Sequence, residues 1–175
     1  MLTVPVIDTR LGWIGLSATS VGIRRIAIAL PSAEQALDRV TSGILEFMPD
    51  GSSLMDLVER LVNYLAGYQV LFPCTLDLRG ATLFQNSVWE ITKRIPYGET
   101  RSYAWVAKQL RNPGAVRAVG RALSVNPFPI LVPCHRVIGA DGTIGGYNAG
   151  LDVKQRLLEI ENNSARSPLF RLEGV

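Results

Sequence analysis

The chain has 175 residues, of which 47% are hydrophobic, and a formal net charge of +3. Its length accommodates one domain of ordinary size or two small ones, and its hydrophobic content excludes a disordered chain. Because no stretch approaches the roughly 18 consecutive apolar residues of a membrane-spanning helix and the first residues lack the pattern of a secretion signal, we expect no membrane association and a cytoplasmic location, or a nuclear one in a eukaryote.

The first 30 residues are typical of short β-strands. The segments LTVPVI, WIGLSAT and IRRIAIAL are rich in Val, Ile and Leu, and glycines and an Asp-Thr pair separate them. They predict a hairpin or a three-stranded antiparallel sheet. Pro31-Ser32 then begins a weak helix in SAEQALDRVTSGIL. A second, amphipathic helix is predicted over residues 54–66, where leucine and valine recur at intervals of three and four.

A change of character near Gly80 divides the chain into two predicted domains. Residues 1–80 carry 6 basic and 8 acidic side chains, whereas residues 81–150 carry 8 basic and 3 acidic ones. We predict an α/β domain over 1–80, an antiparallel sheet with helices, and a mainly α-helical domain over 81–175. The basic surplus of the second domain suits a polyanionic partner such as nucleic acid. Its alternative explanation is an ordinary solvated basic surface.

The second domain shows helical periodicity from its first residues. The spacing of Leu83, Val88, Ile91 and Ile95 predicts one helix with a single apolar face. A second helix follows from Ser102, which is a suitable N-cap residue. These two helices are separated by the terminating segment PYGET.

A helix-turn-helix is predicted next. Asn112 is a good N-cap and Pro113 a good first helical residue for a helix that runs to about Val125. The tight RNPG turn joins it to the preceding helix, as in a winged-helix-like DNA-binding domain. ILVPCHRVI is then a short buried strand or extended segment, GADGTIGGYNAG a glycine-rich loop, and residues 151–162 a final helix.

The one histidine of the chain, His135, directly follows Cys134 in VPCHRVI. Pro133 before the cysteine directs the chain, and Arg136 after the pair adds positive charge that lowers a thiol pKa. In an extended segment the two side chains would point to opposite faces. A direct pair would therefore require a turn or a bridging water. Cys74, in LFPCTLDL, is better interpreted as a buried small hydrophobe.

A reactive cysteine would need a third group to orient the imidazole, and Glu159 and Glu161 in the final helix are the candidates. From the residues alone, a hydrolase and a transferase are equally good interpretations, and a structural thiol beside a core histidine is the third. One histidine and two cysteines do not form the usual zinc site or a disulfide framework. We therefore expect no metal.

The segment NPFPILVPCHRVIGADGTIGGYNAG (126–150) closely resembles the active-site region of the O6-alkylguanine-DNA alkyltransferases, also called methylated-DNA–protein-cysteine methyltransferases. The resemblance extends back through IPYGETRSYAWVAKQLRNPGAVRAVGRAL (95–123) and forward through GLDVKQRLLEIE (150–161). It covers roughly half of the chain. Residues 1–80 are similar to the small α/β domain of this family only in general character.

The resemblance implies DNA repair by direct reversal. The alkyl group of O6-alkylguanine, and of O4-alkylthymine, would pass irreversibly to Cys134 after base flipping, once per molecule and without a cofactor. His135 would act as a general base through a water, and Glu161 would orient it. Asn126 would hold the active-site turn. Tyr103 would contact the flipped base and donate a proton to the leaving guanine.

The resemblance also implies how the lesion is bound. The partner would be double-stranded DNA, contacted by a monomer through the minor groove, with Arg117 in the space of the extruded nucleotide. The implied DNA-binding residues are Tyr103, Asn112, Arg117, Ala118, Arg121 and Arg136. The implied pocket residues are Val137, Gly145, Tyr147 and Asn148. Asn148 stands where many members carry serine, and Arg121 where many carry glycine.

Three other functions fit parts of the same pattern. A lesion-binding protein on this scaffold would have no chemistry, but such relatives lack the acceptor cysteine that is present here as Cys134. A cysteine hydrolase would need an oxyanion hole and turnover. A general DNA-binding module would leave the PCHR motif without a role.

Overall fold

The computed structural model describes residues 4–44 and 52–164. Its N-terminal part contains a three-stranded antiparallel sheet whose strands follow one another in chain order. The strands are β1 (Val6–Ile7), β2 (Trp13–Ala18) and β3 (Ile23–Leu30), and the helices that follow are α1 (Ala33–Thr41) and α2 (Ser52–Leu65). The predicted antiparallel sheet and both predicted helices are confirmed.

Helix α1 packs directly on the sheet because β2 has a glycine at the point of contact. A Cβ atom on Gly15 would lie 2.7 Å from the carbonyl oxygen of Ala36, so a larger side chain would displace the helix. The Ser32 hydroxyl caps α1 by accepting from the N–H of Gln35 at 3.2 Å. Helix α2 adds its apolar face to the same hydrophobic core, where Leu61 is fully buried.

The C-terminal part is mainly helical, as predicted. Its helices are α3 (Leu83–Lys93), α4 (Tyr103–Gln109), α5 (Val116–Ser124) and α6 (Leu151–Ser164), and two short strands, β4 (Arg101–Ser102) and β5 (Val137–Ile138), pair in parallel. Thr82 and Gln85 form a capping box that begins α3. Ser102 caps α4 by accepting from the N–H of Trp105 at 3.0 Å, as its sequence position indicated.

Helices α4 and α5 form the predicted helix-turn-helix. The chain turns between them at Arg111, whose φ of 56° is left-handed, and α5 packs against α4 and α3. Residues 113–115 form a 3-10 turn before α5, and the Asn112 side chain makes no capping hydrogen bond. The N–H of Ala115 instead bonds the main-chain oxygen of Asn112 at 3.0 Å. Leu83 also departs from the prediction, because it is 87% exposed at the start of α3.

One hydrophobic core runs through both parts of the chain. It includes Leu16 of β2, Leu61 of α2, Val88 of α3 and Leu157 of α6. The final predicted helix is present as α6, although Leu151, at its start, is 51% exposed. The two parts are therefore packed together, so that side chains from the N-terminal part can reach the C-terminal part.

Among the described residues, the longest helices are α2 and α6, with 14 residues each. A span of the bilayer requires about 20. Within the described ranges, no helix combines the length and apolar character needed to cross a membrane.

Candidate active site

The segment around Cys134 is a turn and not the strand or extended segment predicted for it. Residues 134–136 form a 3-10 turn that leads into β5. The carbonyl of Pro133 accepts from the N–H of Arg136 at 2.9 Å and closes this turn. As a result the cysteine and His135 do not alternate between two faces, and both are buried.

Asn126 holds the turn next to the end of α5. Its Nδ2 donates to the carbonyl of Val132 at 3.1 Å and to Sγ of Cys134 at 3.2 Å, and its Oδ1 accepts from the N–H of Phe128 at 2.9 Å. The loop between Asn126 and Cys134 contains Ile130, whose φ is 74°. That conformation costs a β-branched residue about 1–3 kcal/mol. The three asparagine bonds hold the loop in this shape.

Burial dominates the electrostatics of the Cys134 thiol. The residue is 8% exposed, and desolvation raises its pKa. The hydrogen bond from Asn126, the Tyr147 hydroxyl and the charge of Lys154 act in the opposite direction but do not reverse the shift. The net shift is therefore opposite to the predicted lowering, because burial of the thiol outweighs the nearby positive charge of Lys154. The resting thiol is neutral and needs a base.

His135 has one ring nitrogen engaged and the other available. Its Nε2 lies 2.7 Å from Oε1 of Glu161 and 3.1 Å from the hydroxyl of Tyr64. Its Nδ1 is buried and has no hydrogen-bond partner among the described residues. Burial lowers the pKa of His135 in spite of the nearby carboxylate, so the imidazole is neutral at neutral pH. Because Nε2 faces a carboxylate, this pattern assigns the proton to Nε2 and leaves Nδ1 as an acceptor.

Glu161 is a buried carboxylate that stays ionised. Burial alone would raise its pKa, but the hydrogen bonds and charges of His135 and Arg136 lower it to about 2. Its Oε1 also accepts from the Tyr64 hydroxyl at 2.5 Å. Of the two acids considered from the sequence, Glu161 contacts the imidazole, whereas Glu159 is exposed on the other side of α6.

Arg136 lies inside this network and not on the DNA-facing surface predicted for it. Its Nε and Nη2 bond the Glu161 carboxylate at 2.9–3.1 Å, and its Nη1 donates to the carbonyl of Ile95 at 2.7 Å. The side chain is 11% exposed, and its guanidinium lies over the Tyr97 ring at 5.6 Å. Its donors are occupied by protein groups, so the predicted DNA contact is corrected to a role in stabilising Glu161.

A cavity of about 840 Å³ opens beside the thiol. Its lining includes Tyr103, Tyr147, Asn148 and Cys134. Gly145 has φ 65°, and a Cβ atom there would lie 3.0 Å from the Tyr103 hydroxyl, so glycine leaves the room that this tyrosine needs. Burial, and then the proximity of the cysteine, raise the pKa of Tyr103. The phenol is therefore protonated and can act as a donor.

The other predicted DNA contacts lie on the solvent side of the helix-turn-helix. Arg117, Ala118 and Arg121 are exposed on α5, and Asn112 is exposed in the turn before it. The opposite, buried face of α5 consists of Val119, Ala122 and Leu123. The helix is thus anchored in the core and presents two arginines with a small residue between them to solvent.

Two side chains of the site were not predicted from the sequence. Lys154 is fully buried on α6, where its ammonium donates to the carbonyl of Val137 at 2.6 Å and burial lowers its pKa to about 8. A signal for it existed, because it precedes Leu157 by three positions and Glu161 by seven, on one face of the helix. Tyr64 lies on the apolar face of α2, and no local pattern indicates what its hydroxyl reaches.

The described residues contain no evident metal site. Within 4–44 and 52–164, no group of three or more His, Cys, Asp or Glu side chains could hold a metal ion. Both cysteines are free thiols. Cys74 is half-buried in the N-terminal part, and burial raises its pKa.

Comparison with known proteins identifies the relatives of this chain. Residues 83–163 match the family model of the 6-O-methylguanine DNA methyltransferase DNA-binding domain. The methylated-DNA–protein-cysteine methyltransferase of Mycobacterium tuberculosis is 50% identical over 121 residues, which are 69% of this chain and 73% of that protein. A crystal structure of the M. tuberculosis O6-methylguanine methyltransferase has a TM-score of 0.76 at 40% identity, with 96% of this chain and 97% of that chain covered. The M. tuberculosis OGT protein in complex with DNA has a TM-score of 0.73 at 36% identity, with 93% and 94% covered.

Proposed function

The chain belongs to the O6-methylguanine-DNA methyltransferase family, also named methylated-DNA–protein-cysteine methyltransferases, and on this premise we propose which residues carry out its reaction. The protein repairs DNA directly, by moving the alkyl group from O6 of guanine to a cysteine of its own. The acceptor is Cys134. The observation that carries this assignment is a buried neutral thiol at the wall of a cavity large enough to admit a base, next in sequence to an imidazole with an available Nδ1.

The proton of the thiol leaves through His135. A water between Sγ of Cys134 and Nδ1 of the imidazole accepts the thiol proton and passes its own to Nδ1. Glu161 is ionised and bonds Nε2, so it stabilises the imidazolium that forms. Because burial disfavours a free thiolate, the thiol ionises in step with the displacement and does not rest as an exposed nucleophile.

The displacement occurs at the alkyl carbon. Sγ of Cys134 forms a bond to that carbon, the bond between carbon and O6 breaks, and guanine leaves as a neutral base after it takes a proton from the Tyr103 hydroxyl. The His135 imidazolium then returns a proton through water to the tyrosinate, so that both side chains end neutral. The product is a thioether at Cys134 and an intact guanine. A thioether is a stable product, because a thiolate is a poor leaving group from carbon, so each molecule reacts once.

The lesion reaches the thiol as a flipped base. Rotation out of the stack costs roughly a few kcal/mol, and the cavity then holds the base between Tyr103, Tyr147 and Asn148. The main-chain carbonyls of Cys134 and Val137 would accept from the guanine amino group, and the Val137 oxygen would also keep its bond from the Lys154 ammonium at 2.6 Å. O4-alkylthymine is the second substrate that we propose, because it presents the same alkyl-oxygen bond.

The DNA contact that we propose is through the minor groove. The exposed side of α5 combines small residues, which permit close approach, with Arg117 and Arg121. Arg117 would fill the space of the extruded nucleotide, and Asn112 would lie near a phosphate. The protein would act as a monomer, with the N-terminal domain over residues 1–80 and the DNA-binding and acceptor domain over 81–175. This division remains a prediction.

The decisive experiment is the intact mass of the protein after incubation with a duplex that contains one O6-methylguanine, followed by peptide mapping. The expected result is a gain of one methylene unit, limited to one per chain and located on Cys134. Location on Cys74 would overturn the assignment. An unchanged mass with DNA still bound would favour the lesion-binding alternative, and a parallel duplex with O4-methylthymine tests the second substrate.

A further inference from the structure

We propose that Tyr64, from helix α2 of the N-terminal part, is a positioning residue for alkyl transfer that acts through Glu161 and His135. This inference rests on the proposed roles of Cys134 and His135. The Tyr64 hydroxyl donates to Oε1 of Glu161 at 2.5 Å and lies 3.1 Å from Nε2 of His135. It reaches them across 97 and 71 positions of sequence and lies outside the segment that carries the family resemblance.

The hydroxyl acts at the oxygen that orients the imidazole. Oε1 of Glu161 accepts from the side chains of Tyr64, His135 and Arg136, while Oε2 accepts from the N–H of Gly98 at 3.0 Å and from Arg136. Tyr64 is fully buried, and burial followed by the charge of Glu161 raises its pKa well above the ordinary value. The phenol therefore remains protonated and can only donate to the carboxylate. It fixes the position of Oε1, and with it the direction of the Nε2–H bond.

The tyrosine also moderates how strongly the carboxylate attracts the imidazole proton. The charged groups around the His135 ring are Glu161, which raises its pKa, and Arg136 and Lys154, which lower it. A hydrogen bond from Tyr64 spreads the negative charge of Oε1. Without that bond the carboxylate would be more basic, and the imidazole would stay protonated to higher pH. A protonated imidazole cannot accept the proton of Cys134.

The ring of Tyr64 is held independently of its hydroxyl. It makes edge-to-face contacts with Phe72 and Tyr97, each at 6.0 Å between centroids, and with His135 at 6.5 Å. Tyr64→Phe therefore removes the donor and keeps the packing. Tyr97→Phe is a matched control from the same cluster, because its hydroxyl donates to the carbonyl of Gly67 at 3.5 Å and the variant keeps the ring that contacts Tyr64.

The test follows the rate of transfer from free O6-benzylguanine to each variant by intact mass, as a function of pH. A lost hydrogen bond to a charged group predicts that Tyr64→Phe is about tenfold slower at neutral pH. The acidic limb of its pH–rate profile should also lie at higher pH than the acidic limb of the wild-type profile. Tyr97→Phe should keep the wild-type rate and pH profile. A purely structural role would lower the melting temperature without moving the acidic limb.

The outcomes separate this inference from the proposed function. A wild-type protein that gains no alkyl group on Cys134 contradicts the function itself. A wild-type protein that reacts, with Tyr64→Phe equal to Tyr97→Phe in rate and profile, overturns the role of Tyr64. Site-specific 3-fluorotyrosine at position 64 provides a second measurement if the phenylalanine variant does not fold. This more acidic phenol is a stronger donor, so the acidic limb should move to lower pH, and an unmoved limb would also overturn the proposal.

Discussion

The N-terminal and C-terminal parts of this protein each contain a free cysteine and a buried carboxylate that is hydrogen-bonded to an arginine. In the N-terminal part, Asp77 is fully buried and accepts from Thr19 at 2.7 Å and from two nitrogens of Arg79 at 2.9 and 2.7 Å. In the C-terminal part, Glu161 is equally buried and is held by Arg136, His135 and Tyr64. The arginine bonds with Asp77 hold its pKa well below the usual range, and Glu161 is also shifted downward.

The two sites differ in whether the carboxylate bonds a group that titrates near neutral pH. Thr19 and Arg79 have no group that titrates near neutral pH, and the Asp77 cluster links the β2–β3 turn to the segment after Cys74. The carboxylate of Glu161 instead bonds a titratable imidazole whose other nitrogen is available. A buried, saturated carboxylate is therefore a structural feature by itself. It becomes part of a reaction when it orients a base beside a nucleophile and a cavity.

Replacement of each cysteine by serine, in separate variants, should show the largest difference between the two parts. Cys134→Ser should slow alkyl transfer by at least about 1,000-fold, because a hydroxyl is a far weaker nucleophile toward carbon at neutral pH. Cys74→Ser should retain the wild-type rate within about twofold, because its thiol lies in the N-terminal part. Intact mass after reaction with an O6-methylguanine duplex measures both variants, and binding to the same duplex should be unchanged. Loss of transfer in the Cys74 variant alone would reverse the comparison.

The two carboxylates should separate chemistry from stability. Glu161→Gln should slow transfer by about 100-fold, because the imidazole loses the acceptor that orients it and stabilises its charged form. Asp77→Asn should leave the rate within about twofold but lower the free energy of unfolding by about 1–3 kcal/mol, the cost of weakened buried hydrogen bonds. Transfer rates and urea unfolding of both variants make the measurement. Equal kinetic effects would mean that the Glu161 site has no special role.

The free energy of unfolding at acidic pH should also depend on Glu161. The pKa of Glu161 falls from 4.5 to about 2 on folding. Its stabilisation is therefore complete above the unfolded pKa and is lost as the pH falls through the folded one. The loss should be on the order of 3 kcal/mol between about pH 5 and pH 2. Urea unfolding across this range should be less pH-dependent in Glu161→Gln, and an unchanged slope would contradict the ionised, bonded state of this carboxylate.

Surface arginines of the two parts should give the smallest effect. Arg117→Ala should slow transfer on duplex DNA by about tenfold, because the variant lacks the side chain that we propose fills the place of the flipped base. The rate on free O6-benzylguanine should be unchanged. Arg60→Ala, which removes an arginine paired with Asp56 at 2.7 Å in the N-terminal part, is the control and should affect neither substrate. Equal losses on both substrates would argue against a role of Arg117 in base flipping.

Local elements of this protein were well predicted by local patterns. The Val- and Ile-rich segments before residue 31 form the expected antiparallel strands, and Ser32 and Ser102 cap helices where expected. These features depend on side-chain spacing and on short-range hydrogen bonds, which the order of residues contains directly. Failures began where a local rule competed with another bond. Asn112 does not cap with its side chain, and the N–H of Ala115, a donor that such a cap would use, bonds its main-chain oxygen instead.

Prediction of the site followed the same division. The PCHR motif led to Cys134 and His135, and the helical position of Glu161 made it a candidate to orient the imidazole. The direction of the thiol pKa shift, the inward position of Arg136 and the buried Lys154 were not predicted. Each depends on which groups surround a side chain after folding. Desolvation and partner choice are set by contacts between segments that lie far apart in sequence.

The amino-acid sequence by itself determined the elements of both parts, the family resemblance and the cysteine-histidine pair, because each of these depends on residues that are close together in sequence. Only the tertiary structure decided that residues 134–136 turn, that Glu161 and not Glu159 meets the imidazole, and that Tyr64 completes the carboxylate site. The physical reason is that the hydroxyl and the carboxylate meet only when α2 and α6 pack into one core. A hydrogen bond across 97 positions has no local signature in either helix.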